Sequence, residues 1–253
     1  VKLLETILVL IFIGISTPVL RAAGGLSIEQ GIPLEMSDAD VEPPHACEFH
    51  LFGRYENSSE EGDFWSLVSR LRYGFARHWE VRVELPLETG SATANGIGNL
   101  KIQATYQLLN EEELIPAASI FGALSLPTGK GSQGWDPTLG ILVTKGLPFT
   151  PWDDRLHLNF GFHHDAKAGD QRDNRTKILI GYDVKLTPNT VLLADLVWDE
   201  EADREIDSSV AEIGVRTSIN SNTAVGAGIG VGLNDESPNI RLTLGLQRSF
   251  YTI

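Results

Sequence analysis

The chain of 253 residues is poor in sulfur, with one cysteine, Cys47, and one methionine, Met36. A lone cysteine excludes an internal disulfide framework and a multi-thiolate zinc site. Positive charge is scarce too: 20 Lys and Arg stand against 34 Asp and Glu, a formal net charge of −14. So acidic a chain lacks the basic face through which nucleic-acid binders release phosphate counterions. Apolar runs of membrane length are missing after the first two dozen residues, which excludes a bundle of transmembrane helices. Helical periodicity over ten or more residues is also missing from Glu48 onward. The 42% apolar content is too high for a disordered chain.

What is present begins with Lys2, an apolar stretch from Ile7 to Ile15, then Pro18 and the small residues Ala22, Ala23, Gly24 and Gly25. That layout predicts a secretory signal peptide over residues 1–24. The alternative, an uncleaved anchor, is disfavoured because the apolar core is short for a span. Residues 25–47 read as a periplasmic lead-in, and 48–253 as the folded body.

From Glu48 the sequence falls into short stretches of period-two alternation. They predict twelve strands, at about 48–56, 64–75, 79–87, 97–109, 115–126, 135–147, 154–164, 175–187, 189–199, 208–219, 223–233 and 238–250. The last is the plainest, with Ile240, Leu242, Leu244 and Leu246 opposed by Arg241, Thr243, Gly245 and Gln247. A soluble sandwich and a membrane barrel share such alternation, so the connections decide. Tight links at Ala76–His78, Thr187–Asn189 and Asn220–Asn222 alternate with longer polar ones such as Glu88–Asn95, Asp165–Asn174 and Glu200–Ile206. An even strand number with short and long links in alternation is the pattern of an outer-membrane β-barrel with both termini periplasmic.

The charges sort the same way. Taking the charged faces as the lumen places Arg54, Arg70, Arg72, Glu80, Arg82, Glu84, Lys101, Lys177, Asp183, Lys185, Asp195, Glu212, Arg216 and Arg241 inside, together with Glu48. Bases outnumber acids in that set. Opposite, apolar faces carry mainly Lys145 and Arg248, both near a short link or a terminus, where a long side chain can snorkel. A charge at mid-bilayer on the lipid face would cost about 2–4 kcal/mol. Gly226, Gly228, Gly230 and Gly232 share the lumen face of the eleventh predicted strand and leave space there, which marks that wall as the expected place for a passage. Aromatic residues including Trp65, Tyr73, Phe75, Trp79, Tyr106, Trp198 and Phe250 fall mostly near strand ends, as interfacial girdles require.

Several stretches in order resemble the bacterial outer-membrane family named for the meta-pathway of phenol degradation. They are the acidic lead-in Asp38–Pro44, the strand Ala76–Leu87 with Glu84-Leu85-Pro86, Gly98–Leu109, Leu126-Pro127-Thr128-Gly129, Leu156–Phe162, and Leu186–Val191 with its Thr187-Pro188 turn. The match runs from about Pro33 to Phe250, and it implies an envelope barrel that moves small solutes, apolar or aromatic compounds among them. The last strand also resembles the assembly signal of outer-membrane barrels through Thr243, Gly245 and Phe250, with Arg248 as a departure. The partners this implies are outer-membrane lipid and lipopolysaccharide, the barrel-assembly machinery and a small solute.

Motifs for chemistry are weak. Thr128-Gly129-Lys130-Gly131 lacks the first glycine of a phosphate-binding loop and no helix follows. His157 and His163 share a face but lie about 20 Å apart at strand rise; His163 and Asp165 are closer, as a divalent-ion site would need. A lipid-modifying hydrolase on the same fold would need Ser and His in contact, and Ser69, outward at mid-strand, has no His beside it, His78 lying across the next turn. The expectation is a passive, non-enzymatic channel in the outer membrane of a Gram-negative bacterium, with no catalytic, cofactor or metal residues. The alternatives are that hydrolase and a purely structural, plugged barrel.

Overall fold

The computed structural model describes residues 32–59, 62–91, 95–129, 134–148, 150, 152–165, 172–201 and 207–251. The predicted signal peptide, the first part of the lead-in (residues 25–31) and the tips of several long links lie outside them.

The strands are β1 (Ala46–Ser58), β2 (Gly62–Ala76), β3 (Trp79–Gly90), the two-residue β4 (Gly96–Ile97), β5 (Leu100–Leu109), β6 (Ala117–Leu126), β7 (Asp136–Gly146), β8 (Asp154–His164), β9 (Asn174–Thr187), β10 (Thr190–Glu200), β11 (Asp207–Asn220), β12 (Thr223–Gly232) and β13 (Ile240–Tyr251). Each long strand pairs antiparallel with its sequence neighbours, and β1 pairs with β13 from Ala46↔Tyr251 to Asn57↔Ile240. With β4 a short addition beside β3, twelve strands close into a barrel. No helix occurs among the described residues. The fourth predicted strand is split, because the chain leaves the ladder at Gly98 and Asn99.

The barrel is inside-out relative to a soluble sandwich. On β13 Leu242 and Leu244 are 40% and 67% exposed, whereas Arg241, Thr243 and Gln247 are buried. On β8 Leu156, Leu158, Phe160 and Phe162 face out while Arg155 and His157 are buried. Because strand side chains alternate, one face of each strand meets lipid and the other packs into the interior. Aromatic contacts mark both ends: Phe75, Trp79 and Tyr106 stack in sequence at 5.9 and 4.7 Å beside the β2–β3 turn, and Tyr55 meets Trp65 at 4.4 Å near the opposite end. Lys145, outward near a short link, reaches Glu111 at 2.8 Å instead of lipid.

Two residues make the β2–β3 turn, with His78 at φ 67°. The left-handed region is tolerated by His better than by most residues, and the turn is held by the Gln107 N–H, which donates to the His78 carbonyl at 2.9 Å.

Residues 32–45 depart from the sequence expectation. Rather than leading in from outside, they run within the barrel before joining β1. Pro33, Pro43 and Pro44 lack amide donors, so the segment cannot extend a ladder. Wall side chains satisfy its backbone instead.

Candidate functional site

Buried backbone groups need partners, and those of residues 32–45 find them around the wall. The N–H of Met36 donates to Asp195 at 3.1 Å, that of Ser37 to Asn159 at 2.7 Å, that of Ala39 to Thr144 at 3.0 Å and that of Glu42 to Glu80 at 3.1 Å. The Ile32 carbonyl accepts from Arg216 at 3.0 Å, the Ser37 carbonyl from Asn159 at 2.8 Å and the Ala39 carbonyl from Ser119. Near β1, the His45 N–H donates to the Gly74 carbonyl at 2.7 Å. Going from Ile32 to His45 the segment therefore passes β11–β13, then β10, β8, β7 and β6, then β5, and finally β3 and β2. It makes close to one circuit of the interior, and fourteen extended residues reach about 46 Å.

Its side chains are held too. Glu35 accepts from Arg54 at 2.7 Å, Arg241 at 3.0 Å and Lys177 at 2.5 Å. Burial would push its carboxyl up, but Lys177, Arg54 and Arg241 outweigh burial and hold it well below the usual carboxylate range. Asp38 pairs with Arg155 at 2.5 Å, and Asp40 accepts from Gln107 at 2.8 Å. Glu42 lies 3.0 Å from Arg72, which also meets Glu80 at 2.7 Å and Glu48 at 3.4 Å. Burial pushes Glu42 up to about 7 against the pull of Arg72, and burial together with the Asp38 carboxylate pushes Asp40 up to about 6.

Small residues make room for this coil. A Cβ on Gly245 would fall 1.8 Å from Ile32 Cδ1, one on Gly228 2.8 Å from Leu34 Cδ2, one on Gly226 3.0 Å from Pro33 Cδ, and one on Gly181 2.7 Å from Met36 Sδ. The space expected to form a passage beside Gly226, Gly228, Gly230 and Gly232 is thus occupied: by Pro33 and Leu34 at the first two, by the Glu212 side chain at Gly230, and by Ser237 and Pro238 at Gly232.

The other predicted interior residues fall as follows. Asp183 accepts from Arg155 at 2.7 Å and from His157 at 2.9 Å. Glu212 lies 3.5 Å from Arg241, and Glu84 2.8 Å from Arg70. Lys185 sits at the short-link end, paired with the exposed Asp153 at 2.6 Å. Sequence reasoning passed over Glu35, Asp38, Asp40 and Glu42, along with Arg155, Arg175 and Asn159, and weighed His157 only as a metal ligand. The excess of bases over acids on the predicted lumen faces was the available signal for the first four.

A cavity of about 450 Å³ opens on the long-link side of the coil, against the wall opposite β12. Its lining includes Arg82, Lys101, Arg175, Lys177 and His163, with Ile32, Leu34 and Glu35 of the segment as part of its floor.

Two arrangements bear on catalysis. Ser69 stands seven residues up β2 from the turn holding His78, about 23 Å at strand rise. Inside, Ala39 N–H, Thr144 hydroxyl, His157 imidazole and Asp183 carboxylate form a directional chain at 3.0, 3.0 and 2.9 Å. Thr144 is 0% exposed and its oxygen already accepts from Ala39. The chain anchors the coil to β7, β8 and β9. His163 contacts Thr138 at 2.9 Å, and among the described residues no group of three or more His, Cys, Asp or Glu is placed to hold a metal ion.

Residues 52–250 match the family described as "Putative MetA-pathway of phenol degradation". No curated protein sequence matches the chain. Among solved structures it is similar to an outer-membrane channel from Pseudomonas putida F1, with a TM-score of 0.63 and 17% identity over 86% of this chain and 100% of that one. It is also similar to the KdgM porin (TM-score 0.57, 11% identity, 81% and 99% covered) and to the NanC porin (0.55, 9%, 81% and 100%). At these identities the likeness concerns the fold, which is that of an outer-membrane barrel.

Proposed function

The chain belongs to that phenol-degradation family of outer-membrane barrels, and we propose that it is a passive, non-enzymatic channel for small solutes whose bore is set by residues 32–45. The observation that carries this reading is the coil itself: a closed barrel whose interior is narrowed, but not filled, by a non-strand segment held through polar contacts. A packed apolar core would need jigsaw complementarity across the interior. Here buried charge pairs and a cavity of about 450 Å³ take its place. Residues of the coil can exchange partners without disturbing the strand ladder, so the bore can vary while the wall stays fixed. Both termini lie on the periplasmic side in this reading, because β1 starts and β13 ends beside the short links. Lipid and lipopolysaccharide meet the apolar exterior, and the barrel-assembly machinery inserts the chain.

Planar-bilayer recording tests it. Full-length protein is expected to show small discrete conductance steps, and a variant lacking residues 32–41 larger and steadier ones, with heat-dependent gel migration showing that both are folded barrels. Absence of conductance in both folded proteins would sink the channel reading in favour of a structural barrel.

A further inference from the structure

The charges around the cavity do not balance. Six cations line it, Arg54, Arg70, Arg82, Lys101, Arg175 and Lys177, against three carboxylates, Glu35, Glu84 and Asp199. The carboxylates are already engaged. Glu35 takes Arg54 and Lys177 as well as Arg241; Asp199 takes Lys177 at 2.9 Å; Glu84 takes Arg70 at 2.8 Å and, more loosely, Arg82 at 3.7 Å, with Glu80 3.8 Å from Arg82. Among the described residues neither Lys101 nor Arg175 has a carboxylate within ion-pairing distance, and Arg175 Nε is buried without a hydrogen-bond partner.

These cations face one volume from neighbouring stretches of wall. The register links Arg82 to Gln103, Gln103 to Ala123, Ala123 to Thr138, Thr138 to His163 and His163 to Arg175, all on lumen faces of β3 and β5–β9. Lys101 lies one lumen position above Gln103 and opposite Glu84 in the register, within electrostatic range of Glu84 as well as of Arg82 and Lys177. The short side chains of Ala123 and Thr138 between the two basic groups keep the approach open. Beside them the lining turns apolar, with Phe121, Leu142 and Leu179 on the wall and Ile32 and Leu34 on the floor. Phe121 lies over Gly140, where a Cβ would come within 2.3 Å of its ring.

The geometry points to a binding site for a small amphipathic organic anion: a carboxylate received by Lys101 and Arg175, with Arg82 as the third donor, and an apolar body against Phe121 and Leu34. Charge-assisted hydrogen bonds to a carboxylate are about twice as strong as neutral ones, and the guanidinium of Arg175 can present two parallel donors. The volume suits a small ligand, and an apolar lining with a few convergent polar groups is how such sites are built. This assignment rests on the channel reading for its biological meaning, since it names the class of solute that dwells in the bore.

Isothermal titration of benzoate into detergent-solubilised full-length protein tests it without requiring conduction. Benzoate is expected to bind about tenfold or more tightly than benzamide, which has the same body without the charge, and the K101Q/R175Q double variant to lose about that factor. The F121A variant should weaken benzoate and leave inorganic phosphate unchanged. Equal binding of benzoate and benzamide to the wild-type protein would overturn the site. So would benzoate affinity unchanged in a folded K101Q/R175Q barrel. Phosphate bound as tightly as benzoate would refute the apolar half. Conductance without benzoate binding removes the site and keeps the channel; benzoate binding without conductance does the reverse.

Discussion

Glu35 concentrates more of the coil's anchorage than any neighbouring residue, since three cations from β1, β9 and β13 converge on it. Replacing it by Gln removes the charge and keeps the size, leaving Arg54 and Arg241 without their carboxylate partner in the coil. The expected weakening is about 1–3 kcal/mol, read as faster amide exchange across residues 32–45 with strand amides unchanged. Gly74 acts through space: a Cβ there would lie 2.2 Å from the Pro43 carbonyl oxygen and 2.3 Å from that of Glu42. Backbone atoms cannot step aside as a side-chain tip can, so Gly74→Ala should destabilise by about 1–3 kcal/mol as overpacking does, measured as a lower urea midpoint. Protonation works on the same segment. Asp40 and Glu42 have carboxyls raised to about 6 and about 7. A raised acid costs the docked state above its undocked value, and that cost disappears as pH falls through the raised one. Glu35, held well below the ordinary range, stays charged over the same interval. The coil should therefore sit more firmly at pH 5 than at pH 8. Conductance recorded across that interval should fall toward pH 5, with a shallower dependence in the D40N variant.

At the scale of elements, period-two alternation made the strands legible, because each has one lipid face and one interior face and no third environment confuses the pattern. The predicted ends fall within about three residues of the observed ones, and β8 coincides with its prediction at Asp154–His164. The coil was hidden for the converse reason. Residues 32–45 carry prolines and alternating acids that read as exposed chain, and nothing in local pattern says which side of a wall an unpaired segment lies on. Two residue-level clues existed. The predicted lumen held more bases than acids while Glu35, Asp38, Asp40 and Glu42 lay just upstream, and the glycine file of β12 left space that required an occupant. Beside Gly226 and Gly228 that occupant is Pro33 and Leu34, and the cavity lies against the opposite wall.

For the whole molecule, the net charge of −14 is a poor guide to the interior. The coil's acids neutralise much of the basic wall, and the imbalance that survives is local, at Lys101 and Arg175. In the proposed channel, solute selectivity belongs to that remnant. Substituting Lys101 by Glu should therefore turn the bore away from anions: the ratio of anion to cation permeability, from reversal potentials in a salt gradient, should fall while the folded barrel is retained.

The double grip of Glu35 on Arg54 and Arg241 has a meaning for how the barrel is finished. Those arginines stand on β1 and β13, the first and last strands, whose pairing joins the two ends of the sheet. A slip of one residue in that seam would turn Arg241 to the lipid side, and a slip of two would carry it about 7 Å along the strand, out of reach of the carboxylate. Only the correct register lets one side chain hold both. The two contacts of an acidic residue that precedes the barrel in the chain thus fit the aligned seam and not its near misses.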